Sequence, residues 1–151
     1  MSSLRETLLT TARTFTEAHT TYDFDLIRST LAPGATHSWG PNEIYGPPRD
    51  NDAYIEMEKQ LSGALKSHSM HITDMVVDEV RRVVVVYCWS TGEAKEDVAA
   101  GASFRAEHIV KITLTEDGKK VARQELYTDS KTMTAFLGVM QAAAAAAGVP
   151  S

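Results

Sequence analysis

Cysteine is almost missing from this chain. Cys88 stands alone among 151 residues, so no disulfide can form within the chain and a reducing, cytoplasmic setting is expected. It sits in the apolar run 83–88, where a small buried hydrophobe is the expected role. Long apolar runs are missing as well. No stretch approaches the ~18 residues of a membrane span, and the opening Met-Ser-Ser-Leu-Arg-Glu-Thr has no apolar core of leader length. Positive charge is scarce: 15 Lys and Arg stand against 20 Asp and Glu, a net charge of −5. The basic residues are scattered, with only Arg81-Arg82 and Lys119-Lys120 adjacent. Nucleic acids and membranes are therefore not expected partners, because little would neutralise their phosphates. There is no glycine-rich phosphate loop, no nucleophile elbow and no metal-ligand spacing. His68 and His71 lie three apart, which in a strand puts them on opposite faces. No metal site is expected.

What the chain does have is an organising hairpin. Ser103–Leu114 and 119–128 alternate in character on either side of Thr115-Glu116-Asp117-Gly118, and Asp-Gly between alternating runs is a strong hairpin signal. The first strand sets Phe104, Ala106, His108, Val110, Ile112 and Leu114 on one face. Composition is 43% hydrophobic and 23% charged, which suits one globular domain with a real core.

In chain order, Ser2 or Ser3 with Glu6 forms a capping signal. Leu4, Leu8, Ala12, Phe15 and Ala18 then recur at helical spacing. Asp23 caps a second helix striped by Leu26, Ile27 and Leu31, ended by Pro33-Gly34. A short strand, 35–39, places His37 and Trp39 on one face. The segment 40–50, rich in proline and glycine, reads as a loop. Asn51 or Asp52 caps a third helix, 53–65, with Tyr54, Met57 and Leu61 inward and Glu58 one turn after Tyr54. Strands 70–77 and 81–90 follow, the second apolar on both sides and so expected to be central or doubly covered. Then come a loop, 91–101, the hairpin, and a last helix, 131–140. The alanine-rich tail, 142–151, either extends that helix or frays. The expected domain is 1–141. Helices first and antiparallel strands after mean an α+β fold. A twisted four-stranded meander with helices across one face makes a cone with an open mouth, a natural small-molecule pocket.

Several stretches resemble a known group. Tyr-Asp-Phe-Asp-Leu-Ile (22–27) followed by Leu-Ala-Pro-Gly-Ala-Thr-His (31–37) looks like the opening of the nuclear-transport-factor-2-like cone, a cystatin-like fold. Asn51-Asp52-Ala53-Tyr54, the run 77–85, Glu107-His108-Ile109, the turn 115–120 and Tyr127-Thr128-Asp129-Ser130 extend the match over about residues 4–140. Within that superfamily the chain resembles the SnoaL-like proteins, in particular small fungal isomerases and cyclases of secondary-metabolite gene clusters. The resemblance implies N-terminal helices packed on a curved, mostly antiparallel sheet. It also implies acid–base chemistry, without metal or organic cofactor, on a polyketide or terpenoid-type intermediate. A homodimer is expected from the apolar strand face of Phe104, Val110 and Ile112. Trp39 stands where ketosteroid isomerase, a more distant relative, keeps its catalytic Asp, and Phe15 stands where it keeps a Tyr. Both departures argue against that particular reaction. Asp129 and Glu107 fall where the fungal relatives keep acids. One fold hosts many chemistries, so the site decides.

The candidate catalytic residues are His37, Glu58, Asp129 and Glu107. His37 beside Trp39 is either a proton carrier titrating near neutrality or a half-exposed strand histidine. Glu58 is either a buried acid with a raised pKa or a solvated side chain beside Lys59. Asp129 is a catalyst, a helix cap, or both. Glu107 is a buried acid or pairs with Arg105 or Arg123 across strands. The candidate substrate-binding residues are Tyr22, Trp39, Tyr54, Tyr87, Trp89, Tyr127 and His19, whose aromatic surfaces suit a flat or polycyclic ligand. For His19 the alternative is a charge at a helix C-terminus. The rival function is a non-catalytic binding or dimerisation module, with Phe104, Val110 and Ile112 as the dimer face. A cavity below the ~300 Å³ of ordinary ligand sites would favour that rival.

Overall fold

The computed structural model describes residues 2–148. The Ser3–Glu6 capping box forms as expected and starts helix α1 (Leu4–Ala18), which buries Leu8, Ala12 and Phe15. Asp23 caps α2 (Phe24–Thr30) through the Leu26 N–H. Leu31 opens a strand instead of closing that helix: β1 runs Leu31–Gly40, straight through Pro33-Gly34. Proline lacks a ladder donor and Gly34 sits at φ +72°, so the register breaks between Leu31 and Thr36. Such a bulge is tolerated on an edge strand, and β1 is an edge.

The segment 40–50 is more ordered than a loop. It holds a one-turn helix, α3 (Asn42–Tyr45), and returns to pair Arg49 with His37 in an isolated antiparallel bridge. Asp50, not Asn51 or Asp52, caps α4 (Asn51–Ala64). Strand β2 (Leu65–Asp78) starts five residues before the expected 70, and β3 (Val83–Ala94) runs past the expected end at 90. The one-turn α5 (Glu96–Ala99) follows. Then come β4 (Ser103–Leu114) and β5 (Val121–Thr128). Helix α6 (Ser130–Ala146) continues through the first half of the alanine-rich tail and is closed by Ala147. The end of that tail, 149–151, lies outside the described residues.

The expected meander β2-β3-β4-β5 is present, but β1 adds a fifth strand, giving the order β1-β5-β4-β3-β2. The β1–β5 pair is parallel; the others are antiparallel. Strand β3 is an interior strand, paired with β2 and β4, as one of the two expected alternatives has it, but it is not doubly covered. Val84, Val86 and Cys88 are buried on the inner face, while Tyr87 on the outer face is 40% exposed. The inner face packs α1, α2 and α4 around Phe15, Ile27, Tyr54 and Ile112. A second cluster sets α5 and α6 on β4 through Phe104, Met133 and Phe136. Phe104, Val110 and Ile112 are all buried in these cores. The sequence expectation of a dimer face there is wrong, because the helices already cover it. No helix among the described residues is long and apolar enough to cross a membrane.

Candidate active site

Between the two core clusters lies an inner cavity of about 50 Å³, walled by α1, α4 and the inner face of the sheet. Its polar groups come from helix spacing on one side and strand alternation on the other. Tyr54 and Glu58 stand one turn apart on α4, so both point inward, and they are 1% and 4% exposed. His19, at the end of α1, is also buried. Its Nδ1–H donates to the Phe15 carbonyl at 2.8 Å. That leaves a lone pair on Nε2, so the Tyr54 hydroxyl donates to it at 2.6 Å. Burial pushes His19 down to about 4, so it is neutral at pH 7.

The Glu58 carboxyl is pushed up to about 7. Burial is the main cause, opposed by the Tyr54 hydroxyl and the Arg49 charge. Burial likewise holds Tyr22 and Tyr54 well above the usual phenol range, with the Glu58 charge adding to both. Trp39 and Tyr22 complete this side of the wall.

Across the cavity, the sheet supplies Ser90 and His108 from β3 and β4. Ser90 Oγ and His108 Nε2 are 2.6 Å apart. His108 Nδ1 is buried and unpartnered, as is the hydroxyl of its cross-strand neighbour Thr128. Burial, with the nearby His68, lowers His108 to about 4 against the pull of Asp129. His68 also lines the cavity, and its Nδ1–H donates to the His19 carbonyl at 2.8 Å. Its ring is tilted against Tyr22 at 4.7 Å. His71, as expected, is on the other face, stacked on Trp89 at 4.0 Å.

The structure thus brings Glu58, His19, Tyr22, Trp39 and Tyr54 together at the cavity and leaves the other candidates elsewhere. His37 is not half-exposed but 1% exposed, and it does not line the cavity. Its ring lies flat on Tyr54 at 4.0 Å, and its nitrogens meet Gln124 at 3.0 Å and Asn51 at 2.9 Å. It is wall behind the site because α4 covers its ring, with Tyr54 on its face and Asn51 at one nitrogen. Asp129 is exposed and caps α6: its carboxylate accepts from the Thr132 N–H and hydroxyl, which hold it below the usual carboxylate range. Glu107 points out of the cone opposite Trp89 and makes neither expected pair. Arg105 lies over the Trp89 ring at 4.5 Å, and Arg123 reaches Glu125 at 3.0 Å. Tyr87, Trp89 and Tyr127 are also outward, around a groove of about 490 Å³. Alternation in strands decides all four placements.

Sequence reasoning gave no role to Ser90, His108, His68 or Gln124. The alternation placed His108 inward but says nothing of function. His68 falls in the part of β2 too polar to read as strand. Among the described residues, no group of three or more His, Cys, Asp or Glu is arranged to hold a metal ion.

No protein-family model and no curated protein matches the sequence. Solved structures do match in shape. The pinacolase BvnE from Penicillium brevicompactum aligns with TM-score 0.83 and 25% identity, over 95% of this chain and 99% of that one. PrhC from Penicillium brasilianum gives 0.83 at 17% identity, over 93% and 91%. A Shewanella denitrificans protein assigned as a SnoaL-like polyketide cyclase gives 0.71 at 11% identity, over 87% and 96%. The chain has the SnoaL-like cone fold, the superfamily its sequence resembles.

Proposed function

We propose that the chain is an isomerase or cyclase that moves protons with its own side chains on a polyketide or terpenoid-type intermediate. The observation that carries this reading is Glu58: an enclosed carboxyl that titrates at about 7, facing a cavity. An acid–base group works best when its pKa lies near the working pH. Ionised Glu58 takes a proton from carbon beside a substrate carbonyl and returns it at another position. The hydroxyl of Tyr22 and the neutral His108 supply hydrogen bonds to the substrate oxygens, while Tyr54 is held by His19. The shape match to a pinacolase, an enzyme named for a rearrangement, supports the isomerase class in general.

The test is to incubate the protein with carbonyl intermediates of both classes and follow products by mass spectrometry. Isomerisation or cyclisation gives a new compound of unchanged mass, whereas dehydration gives loss of one water. Glu58→Gln should lower turnover about 100-fold or more with the circular dichroism unchanged. Full turnover in that variant would overturn the assignment.

One observation favours the rival reading, a binding module without chemistry. The cavity of about 50 Å³ is well under the ~300 Å³ of ordinary ligand sites. Only the reacting part of a larger molecule fits there unless the aromatic wall moves. A compound that binds saturably and is recovered unchanged after long incubation would select this reading.

The partner surface we propose is the outer sheet face. Tyr87, Ile109 and Tyr127 are 40%, 44% and 57% exposed there, an apolar patch that suits a second copy of the chain.

A further inference from the structure

We propose that Trp39, Tyr45 and Arg49 form a subsite beside the cavity that binds a carboxylate of the substrate. The inference rests on the reading of the cavity as a substrate site. It starts from three buried side-chain atoms without a hydrogen-bond partner among the described residues: Trp39 Nε1, Tyr45 OH and Arg49 Nη1. The indole and guanidinium nitrogens only donate, and the phenol can donate. Leaving such groups buried and unmatched costs about 1–3 kcal/mol each, so a matching acceptor is expected.

Backbone geometry gathers them. Arg49 pairs with His37 through N–H···O bonds of 2.9 and 2.7 Å. Cross-strand partners share a face, and so do residues two apart in a strand. Arg49 therefore projects on the side of His37 and Trp39; Trp39 lines the cavity, and the Arg49 charge is felt by Glu58 within it. Tyr45 meets the Trp39 ring edge-on at 5.7 Å. Arg49 Nη2 donates to the Tyr45 carbonyl at 2.9 Å, which fixes the guanidinium and leaves Nη1 free to bind.

Nearby carboxylates do not serve as the counter-ion. Asp50 is occupied capping α4, and Asp52 pairs with Arg28 at 2.9 Å. Glu58 feels the Arg49 charge but makes no ion pair with it among the described residues. A half-buried guanidinium with a free N–H, flanked by two further donors, matches the acceptor geometry of a carboxylate. A simple structural staple of α3 would need only the Nη2 bond.

The test uses benzoate and its neutral isostere benzamide as probes, titrated calorimetrically into the full chain. Wild type should bind benzoate about tenfold more tightly than benzamide. Arg49→Leu should bring the two within about twofold, and Tyr45→Phe and Trp39→Phe should each weaken benzoate alone by about three- to tenfold. Equal affinity in wild type, no binding of either probe, or a preference that survives Arg49→Leu overturns the proposal. If Arg49→Leu fails to fold, Tyr45→Phe, which removes a single hydroxyl, decides: unchanged benzoate affinity overturns it. Glu58→Gln separates this proposal from the catalytic one, because it should retain the benzoate preference whatever happens to turnover. A preference for benzoate without Glu58-dependent turnover strikes the catalytic reading alone; the reverse result strikes the subsite alone.

Discussion

Glu58 holds its proton to about pH 7 because its carboxylate would be buried where little can solvate it. Its ordinary value is 4.5, so the folded state binds the proton more tightly than the unfolded one. The stability this confers is full below about pH 4.5 and is lost as pH rises through about 7. The difference is about 3 kcal/mol. Glu58→Gln cannot lose it, so the variant should gain on wild type by about that amount between pH 4 and pH 8 in urea titrations. His19 and His108, lowered to about 4, act in the opposite direction at lower pH. The comparison between the two proteins cancels them. In turnover, the pH profile should show a limb near 7 that the variant lacks. Tyr54 carries a separate expectation. Tyr54→Phe strands the His19 Nε2 lone pair in a buried place, which should cost about 1–3 kcal/mol in urea unfolding.

At the scale of elements, two glycines on inward strands behave differently. A methyl group at Gly92 would land on the Phe104 ring, and one at Gly40 on the Tyr127 ring. Phe104 is buried and packed against Phe136 at 4.8 Å, so it has nowhere to go. Tyr127 is 57% exposed and swings aside. Gly92→Ala should therefore cost about 1–3 kcal/mol in melting or urea experiments, and Gly40→Ala much less. The same strands show what could be read in advance. The inner face of β4, from Phe104 to Leu114, was legible residue by residue because period-two alternation survives burial on one side. Glu58 was legible through its spacing from Tyr54. The N-terminal half of β1 was hidden by Pro33 and Gly34, which ordinarily end elements. The covering of His37 was hidden because it depends on Asn51 and Tyr54 of α4, brought back across a segment that reads as loop. Asp129 offered two roles from one position, and the local hydrogen bonds to Thr132 made it a cap.

For the whole molecule, the helices cover one side of the sheet and leave the other with aromatic side chains in water. If a second copy covers them, Ile109→Asp should convert a dimer into a monomer in light scattering while binding in the cavity persists. A dimer that withstands the substitution would locate the contact elsewhere. The parallel pairing of β1 with β5 has its own consequence. Residues 31–40 bond to residues 121–127, so Trp39 gains its strand neighbour only after Leu126 has been made. A ribosome making this protein must leave β1 unpaired until β5 has been made. Distant pairings of this kind form late and invite aggregation. Nascent chains arrested before residue 121 emerges should be cut readily by protease within 31–40, and resistance should appear in one step once the final hairpin leaves the exit tunnel.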